Sequence, residues 1–201
     1  MSDMNRREAV QAMSVAALVA AFQVTPAEAD RAARAVERAL SSSQEFEPQF
    51  FTAEEWETVR MLADIIIPAD ERSGSATDAG VPEFMDFTLV DRPSRQAPMR
   101  GGLMWLDLAC NDRYGSRFVE CRDDQRKEFL DDIAWPDRAT ERMVQGVAFF
   151  NSFRDLTASG FFSSRTGVQD VRYMGNVARR EWPGCPPEVL QHLGVSYEDE
   201  P

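Results

Sequence analysis

Thr52-Ala53-Glu54-Glu55-Trp56-Glu57-Thr58-Val59-Arg60-Met61-Leu62-Ala63-Asp64-Ile65-Ile66-Ile67-Pro68 carries the strongest helix signal in the chain. Thr52 followed three residues later by Glu55 is a capping box, in which each side chain satisfies a backbone N–H of the other. Trp56, Val59, Leu62, Ala63 and Ile66 then recur at helical spacing and define one apolar face. Pro68 ends the run, because its ring removes a donor and clashes with the preceding turn.

The same period recurs on both sides of this segment. Upstream, Ala29, Ala32, Ala33, Val36 and Leu40 share one face, while Arg31, Arg34, Glu37 and Arg38 share the other. This predicts an amphipathic helix over 29–43, followed by a linker at Ser41-Ser42-Ser43 and Pro48. Downstream, the polar, glycine-containing run 69–80 reads as a loop. Pro82 at an early helical position starts a short helix closed near Pro93. Helices are expected over Gln96–Tyr114 and Asp123–Trp135, with the longest over Arg138–Thr157 and ended by Gly160. A less regular segment follows at Gln169–Arg180, and a last short helix at Pro186–His192 is capped by Gly194. No strand-like alternation persists over five or six residues. The expected architecture is all-α, a compact single-domain helical bundle with long ordered loops.

At the amino terminus, Arg6 and Arg7 precede an uncharged run from Ala12 to Phe22, and Ala27-Glu28-Ala29 follows with a small-x-small pattern. The run is too short to span a bilayer as an ordinary helix. Charged, apolar and small-residue regions in that order are the parts of an export signal. Paired arginines point to the twin-arginine route, which carries folded cargo. The competing reading is an amphipathic helix of the mature fold, since the helical pattern runs straight past Ala29. The domain organisation expected is therefore an export segment at 1–29, an amphipathic helix and linker at 30–49, and a helical domain at 50–201.

Composition removes several functions. Thirty-four acidic against 22 basic side chains give a net charge of −12, which repels phosphate backbones and excludes nucleic acid as a partner. No glycine-rich phosphate loop or dinucleotide fingerprint is present. His192 is the only histidine, which removes most metal sites and nucleophile–histidine pairs. Asp123-Asp124 and Asp131-Asp132 are adjacent pairs whose side chains diverge by about 100° on a helix, as a solvated face would have them. Asp70 and Glu71, in a loop, are the carboxylates freest to take a ligand. No catalytic, cofactor-binding or metal-ligating residue is assigned.

Cys110, Cys121 and Cys185 lack CxxC spacing. One disulfide with a free thiol, or three buried thiols, both fit an odd count. On one unbroken helix Cys110 and Cys121 would be separated by roughly 16 Å of rise, too far to bridge. A break at Gly115 would bring them together.

The carboxyl-terminal third interleaves rings with glycine and proline: Gly160-Phe161-Phe162-Ser163-Ser164-Arg165, then Tyr173-Met174-Gly175-Asn176, then Glu181-Trp182-Pro183-Gly184-Cys185-Pro186. Such rings either plug the ends of the bundle or form a contact surface, where aromatic and arginine anchors dominate the energetics. Phe161, Phe162, Arg165, Tyr173, Trp182 and Cys185 are the interface candidates.

Taken in order, Phe50-Phe51-Thr52-Ala53-Glu54-Glu55-Trp56, Leu62-Ala63-Asp64-Ile65-Ile66-Ile67-Pro68-Ala69-Asp70, Ser73-Gly74-Ser75-Ala76, Ala79-Gly80-Val81-Pro82-Glu83-Phe84, Gly160-Phe161-Phe162-Ser163 and Trp182-Pro183-Gly184-Cys185-Pro186 resemble the gluconate 2-dehydrogenase subunit 3 family over roughly residues 46–201. The resemblance implies a non-catalytic, gamma-type subunit beside a large flavoprotein of the glucose–methanol–choline (GMC) type. In such complexes the flavoprotein holds FAD and oxidises a sugar, sugar acid or glycoside. Electrons leave through a multihaem cytochrome c subunit, which carries haem c, in the membrane. The small subunit binds no cofactor, acts like a chaperone, and lends its twin-arginine signal (Arg6, Arg7) to the folded flavoprotein. Its expected place is periplasmic, with membrane contact only indirect. A stand-alone periplasmic enzyme acting on oxidised sugars and an exported binding domain are the alternatives.

Overall fold

The computed structural model describes residues 23–42, 46–173, 175, 180–181 and 184–197. Among these described residues eight α-helices run in chain order: α1 (Pro26–Leu40), α2 (Ala53–Ile66), α3 (Val81–Asp91), α4 (Gln96–Tyr114), α5 (Asp123–Ala134), α6 (Val144–Ser163), α7 (Arg165–Asp170) and α8 (Pro187–Leu193). Among the described residues there is no strand, and the fold is the expected all-α single domain.

Helix α6 is the hub, packing on every helix from α1 to α5 and on α7. Eleven of its twenty residues are buried, more than one apolar stripe would need, as befits a central helix. Phe149, Phe153, Leu156 and Phe161 are at most 2% exposed. Its buried hydroxyls are satisfied within the helix, Ser152 donating to Ala148 O (2.7 Å) and Thr157 to Phe153 O (2.9 Å). Close packing on α6 is made by small residues. A Cβ on Gly102 of α4 would collide with the Phe149 ring, and one on Gly146 of α6 would collide with the Trp105 ring. Each helix thus receives a ring from the other.

The helix expected over Arg138–Thr157 is displaced toward the carboxyl terminus. Pro136 and then Thr140 start two short 3-10 turns, Pro136–Arg138 and Glu141–Met143, before α6 begins at Val144. Gly160 does not end α6. It sits inside the helix, where a Cβ would meet the Phe84 ring at 2.9 Å and Val81 at 3.4 Å. Its role is the close crossing with α3, and a tertiary need has overridden its local propensity. The less regular segment read at Gln169–Arg180 begins within a short helix, α7, which starts at Arg165. Ser164 caps it by accepting from Gly167 N (3.1 Å), and the chain reverses at Arg172 with φ 53°.

Helix α1 begins at Pro26, three residues before the expected Ala29. Thr25 and Glu28 form a capping box that sequence reading passed over, with Thr25 N donating to Glu28 Oε2 at 2.8 Å. Its Ala32 and Val36 are buried against the body. Gly80, at φ 77°, lies so close that a Cβ would meet Val36 Cγ1 at 2.5 Å.

The 67–80 loop is ordered by carboxylates. Asp64 accepts from Thr77 N (2.7 Å), Asp78 from Ser75 N (2.9 Å), and Asp70 from the N–H groups of Arg72 and Ser73 (2.8 Å each). Asp86, 1% exposed on α3, accepts from Gln49 N (2.9 Å), Phe50 N (2.9 Å) and Phe51 N (3.2 Å). That bracket fixes the approach to the Thr52 capping box.

Candidate partner interface

The ring-rich third divides into inward and outward parts. Phe161 is 2% exposed and belongs to the core, so of the two readings offered for these rings it takes the plug and is removed from the contact surface. Phe162, its neighbour, turns outward at 49% exposure and stacks edge-on against Phe161 at 5.3 Å. Tyr173 stands out at 60% exposure, held beside α7 by Tyr173 N donating to Val168 O (3.1 Å). Val171 is exposed as well. Exposed rings of this kind are the residue types that anchor protein contacts.

A groove of about 630 Å³ is lined in part by Ser163, Ser164 and Val168 of the same stretch of chain. Arg34, Glu37 and Leu40 of α1 form one wall, and Ser164, Arg165 and Gln169 form the other. Arg165 is exposed. The groove therefore offers an apolar Leu40 edge and charges of both signs. Cys185 is exposed and free. Its N–H donates to Tyr197 Oη at 2.6 Å, and the Tyr197 ring covers Gly184. Trp182, Arg6 and Arg7 lie outside the described residues.

A second, wider groove of about 1330 Å³ runs along α2, with Phe51, Trp56, Met61 and Ile65 on its floor and Arg117 and Arg126 at its edge. The apolar face read from the sequence includes Trp56, which is half-buried and lines this groove instead. Met61 and Ile65, which lie off that face, are the sequence signal for a second apolar surface.

Neither groove assembles acid–base or nucleophilic chemistry. Asp70 spends its carboxylate on the Arg72 and Ser73 amides, the Arg72 amide foremost in holding it below the usual carboxylate range. Asp123, Asp124 and Asp132 pair with Arg126, Arg122 and Arg113. Glu83 is raised above the ordinary glutamate value by burial. Cys110 and Cys121 are buried and free. The reversal at Gly115 (φ 74°) brings them into contact. Burial first, and the neighbouring Cys121 next, push the Cys110 thiol up to about 12, where it is not a nucleophile. Among the described residues no group of three or more His, Cys, Asp or Glu is placed to hold a metal ion. No described helix is long and apolar enough to cross a membrane.

A family model described as gluconate 2-dehydrogenase subunit 3 matches residues 53–184, from the start of α2 to the ring-rich tail. The chain belongs to the gluconate 2-dehydrogenase subunit 3 family. Neither a curated protein nor a solved structure matches it. Family membership makes it an accessory subunit of a multi-subunit dehydrogenase. Helix α1 lies upstream of the family match, yet it supplies a wall of the first groove and packs on α3 and α6.

Proposed function

We propose that the chain is the non-catalytic small subunit of an FAD-dependent, GMC-type sugar, sugar-acid or glycoside dehydrogenase. It binds the large flavoprotein, supports its folding and stability, and escorts it through the twin-arginine route to the periplasm. FAD belongs to the flavoprotein and haem c to a cytochrome c subunit. This chain meets the membrane only through the complex.

The observation that carries the reading is that Phe162 and Tyr173 both stand exposed on the segment that the family match covers. Two exposed rings that bury on association contribute several kcal/mol, at about 25 cal/mol per Å². Escort also has a physical requirement. A flavoprotein that folds around its cofactor must travel folded, and one signal serves two chains only if their contact outlasts transit.

The test is co-expression of the chain with a candidate GMC-type flavoprotein from the same genome. The two are expected to purify together and to reach the periplasm together. Arg6→Lys with Arg7→Lys should leave both in the cytoplasm. Normal periplasmic activity in that double variant removes the escort role, and unaided turnover of a carbohydrate by the pure chain removes the non-catalytic one.

A further inference from the structure

The small-x-small motif Ala27-Glu28-Ala29 lies inside the first turn and a half of α1, not in an open segment. Ala29 N donates to Thr25 O at 2.9 Å, so the Ala29–Asp30 bond is part of a hydrogen-bonded helix. The residue between the two alanines is the most constrained of the three. Glu28 is 7% exposed. It accepts from Thr25 N (2.8 Å) and Thr25 Oγ1 (3.0 Å), and pairs with Arg92 (2.5 Å) and Arg95 (3.5 Å). Arg95, itself 8% exposed, also donates to Gln23 O. On the next turn Arg31 pairs with Asp91 at 3.1 Å. The first turn of α1 is therefore clasped to the α3–α4 corner from Gln23 to Arg31.

A processing protease binds its substrate extended, and a helical bond must unwind before it can be cut. Unwinding here would strip Arg95 of its carboxylate partner, and a buried charge left unpaired is strongly unfavourable. From this geometry we infer that the Thr25–Glu28–Arg95 clasp withholds the Ala29–Asp30 bond from processing. Residues from Gln23 onward belong to the working fold, and any cut that removes a leader falls upstream of Gln23. The inference rests on the export reading for its biological setting. Its test does not, because it runs on purified protein whatever the compartment.

The full-length chain, folded and purified, is incubated with a signal peptidase of small-x-small specificity, and the products are read by intact mass. The native chain is expected to show no product beginning at Asp30. The Thr25→Ala/Glu28→Ala double variant keeps the small residues at 27 and 29 but lacks the clasp. It is expected to be cut at Ala29–Asp30 at least about tenfold faster, since proteolysis of a folded chain tracks its locally opened fraction. A product beginning at Asp30 from the native chain overturns the inference. So does equal resistance of native chain and double variant, which would mean that the clasp protects nothing. Failure of the arginine-pair experiment, by contrast, removes the export reading and leaves this result standing.

Discussion

The Asp86 carboxylate on α3 accepts the backbone N–H of Phe50 at 2.9 Å across 36 residues of sequence. It takes the amides of Gln49 and Phe51 as well, and Asp86 is 1% exposed. A short loop with three parallel amides and no secondary-structure ladder has found its acceptor on another helix. Phe50 and Phe51 are thereby seated in the core, and Thr52 is delivered to cap α2.

Replacing Asp86 by alanine leaves the buried amides of Phe50 and Phe51, and the part-buried amide of Gln49, without their acceptor. Hydrogen bonds to a charged acceptor contribute about 1.5–3 kcal/mol each, and orphaned donors add a desolvation cost. Asp86→Ala is expected to lower the unfolding free energy by roughly 3–5 kcal/mol, with Asp86→Asn losing about half as much. Urea denaturation measures both. A loss under about 1 kcal/mol for alanine would mean that water satisfies these amides in place of the carboxylate.

Asp86 also marks what could be read from sequence and what could not. The Thr52–Glu55 box, the span Gln96–Tyr114 and the Gly194 cap are local signals, and the structure keeps each. Asp86, Gly160 and Gly102 act on partners far away in sequence. An aspartate in a helix reads as solvated, and a glycine in a helix reads as a stop, unless the facing element is known. The same limit split Phe161 from Phe162. The pattern Gly160-Phe161-Phe162-Ser163 has no period long enough to say which ring is buried and which faces solvent. Gly115 was legible as a possible break, but only its left-handed conformation makes Cys110 and Cys121 neighbours.

Glu28 gives a pH dependence with a definite sign. The Thr25 amide chiefly, with Thr25 Oγ1, Arg95 and Arg92, holds its carboxyl down from 4.5 to about 2 against the opposing effect of burial. A depressed folded-state value stabilises the fold above the unfolded value, and that stability is lost as pH falls through the folded one. The contribution is on the order of 2–3 kcal/mol at neutral pH, fading between about pH 4.5 and 2. Glu28→Gln should therefore be less stable than the native chain at pH 7, and the gap should close as the pH approaches 2. A gap independent of pH over that window would show that the carboxylate charge, in its Thr25 hydrogen bonds and its pairs with Arg95 and Arg92, contributes nothing beyond shape.

The cysteines should separate by accessibility. Cys185 is exposed, whereas Cys110 and Cys121 are 0% and 4% exposed, with the Cys110 thiol pushed up to about 12. Thiolate is the reactive form. Alkylation of the native chain is expected to stop at one label, with the other two thiols at least about a hundredfold slower, since they react only through opening. In denaturant all three should label. Three labels at similar rates without denaturant would disprove the packing of the Gly115 reversal.

Phe161 and Phe162 make the sharpest comparison for partner binding, because they are chemically identical neighbours with opposite exposures. Phe161→Ala removes a core ring and should lower stability by about 3–5 kcal/mol. Phe162→Ala and Tyr173→Ala touch surface rings and should stay within about 0.5 kcal/mol of native stability. Their effect belongs to association. If both rings anchor the flavoprotein, each truncation should weaken the complex by about 1–3 kcal/mol, or roughly five- to a hundredfold in Kd. The loss should appear mainly as faster dissociation, because interface truncations act on off-rates. Titration of the purified flavoprotein with each variant, beside thermal unfolding of the variant alone, separates the two effects. Unchanged affinity in both surface variants would move the contact elsewhere, and the α2 groove floored by Trp56, Met61 and Ile65 is then the face to truncate next.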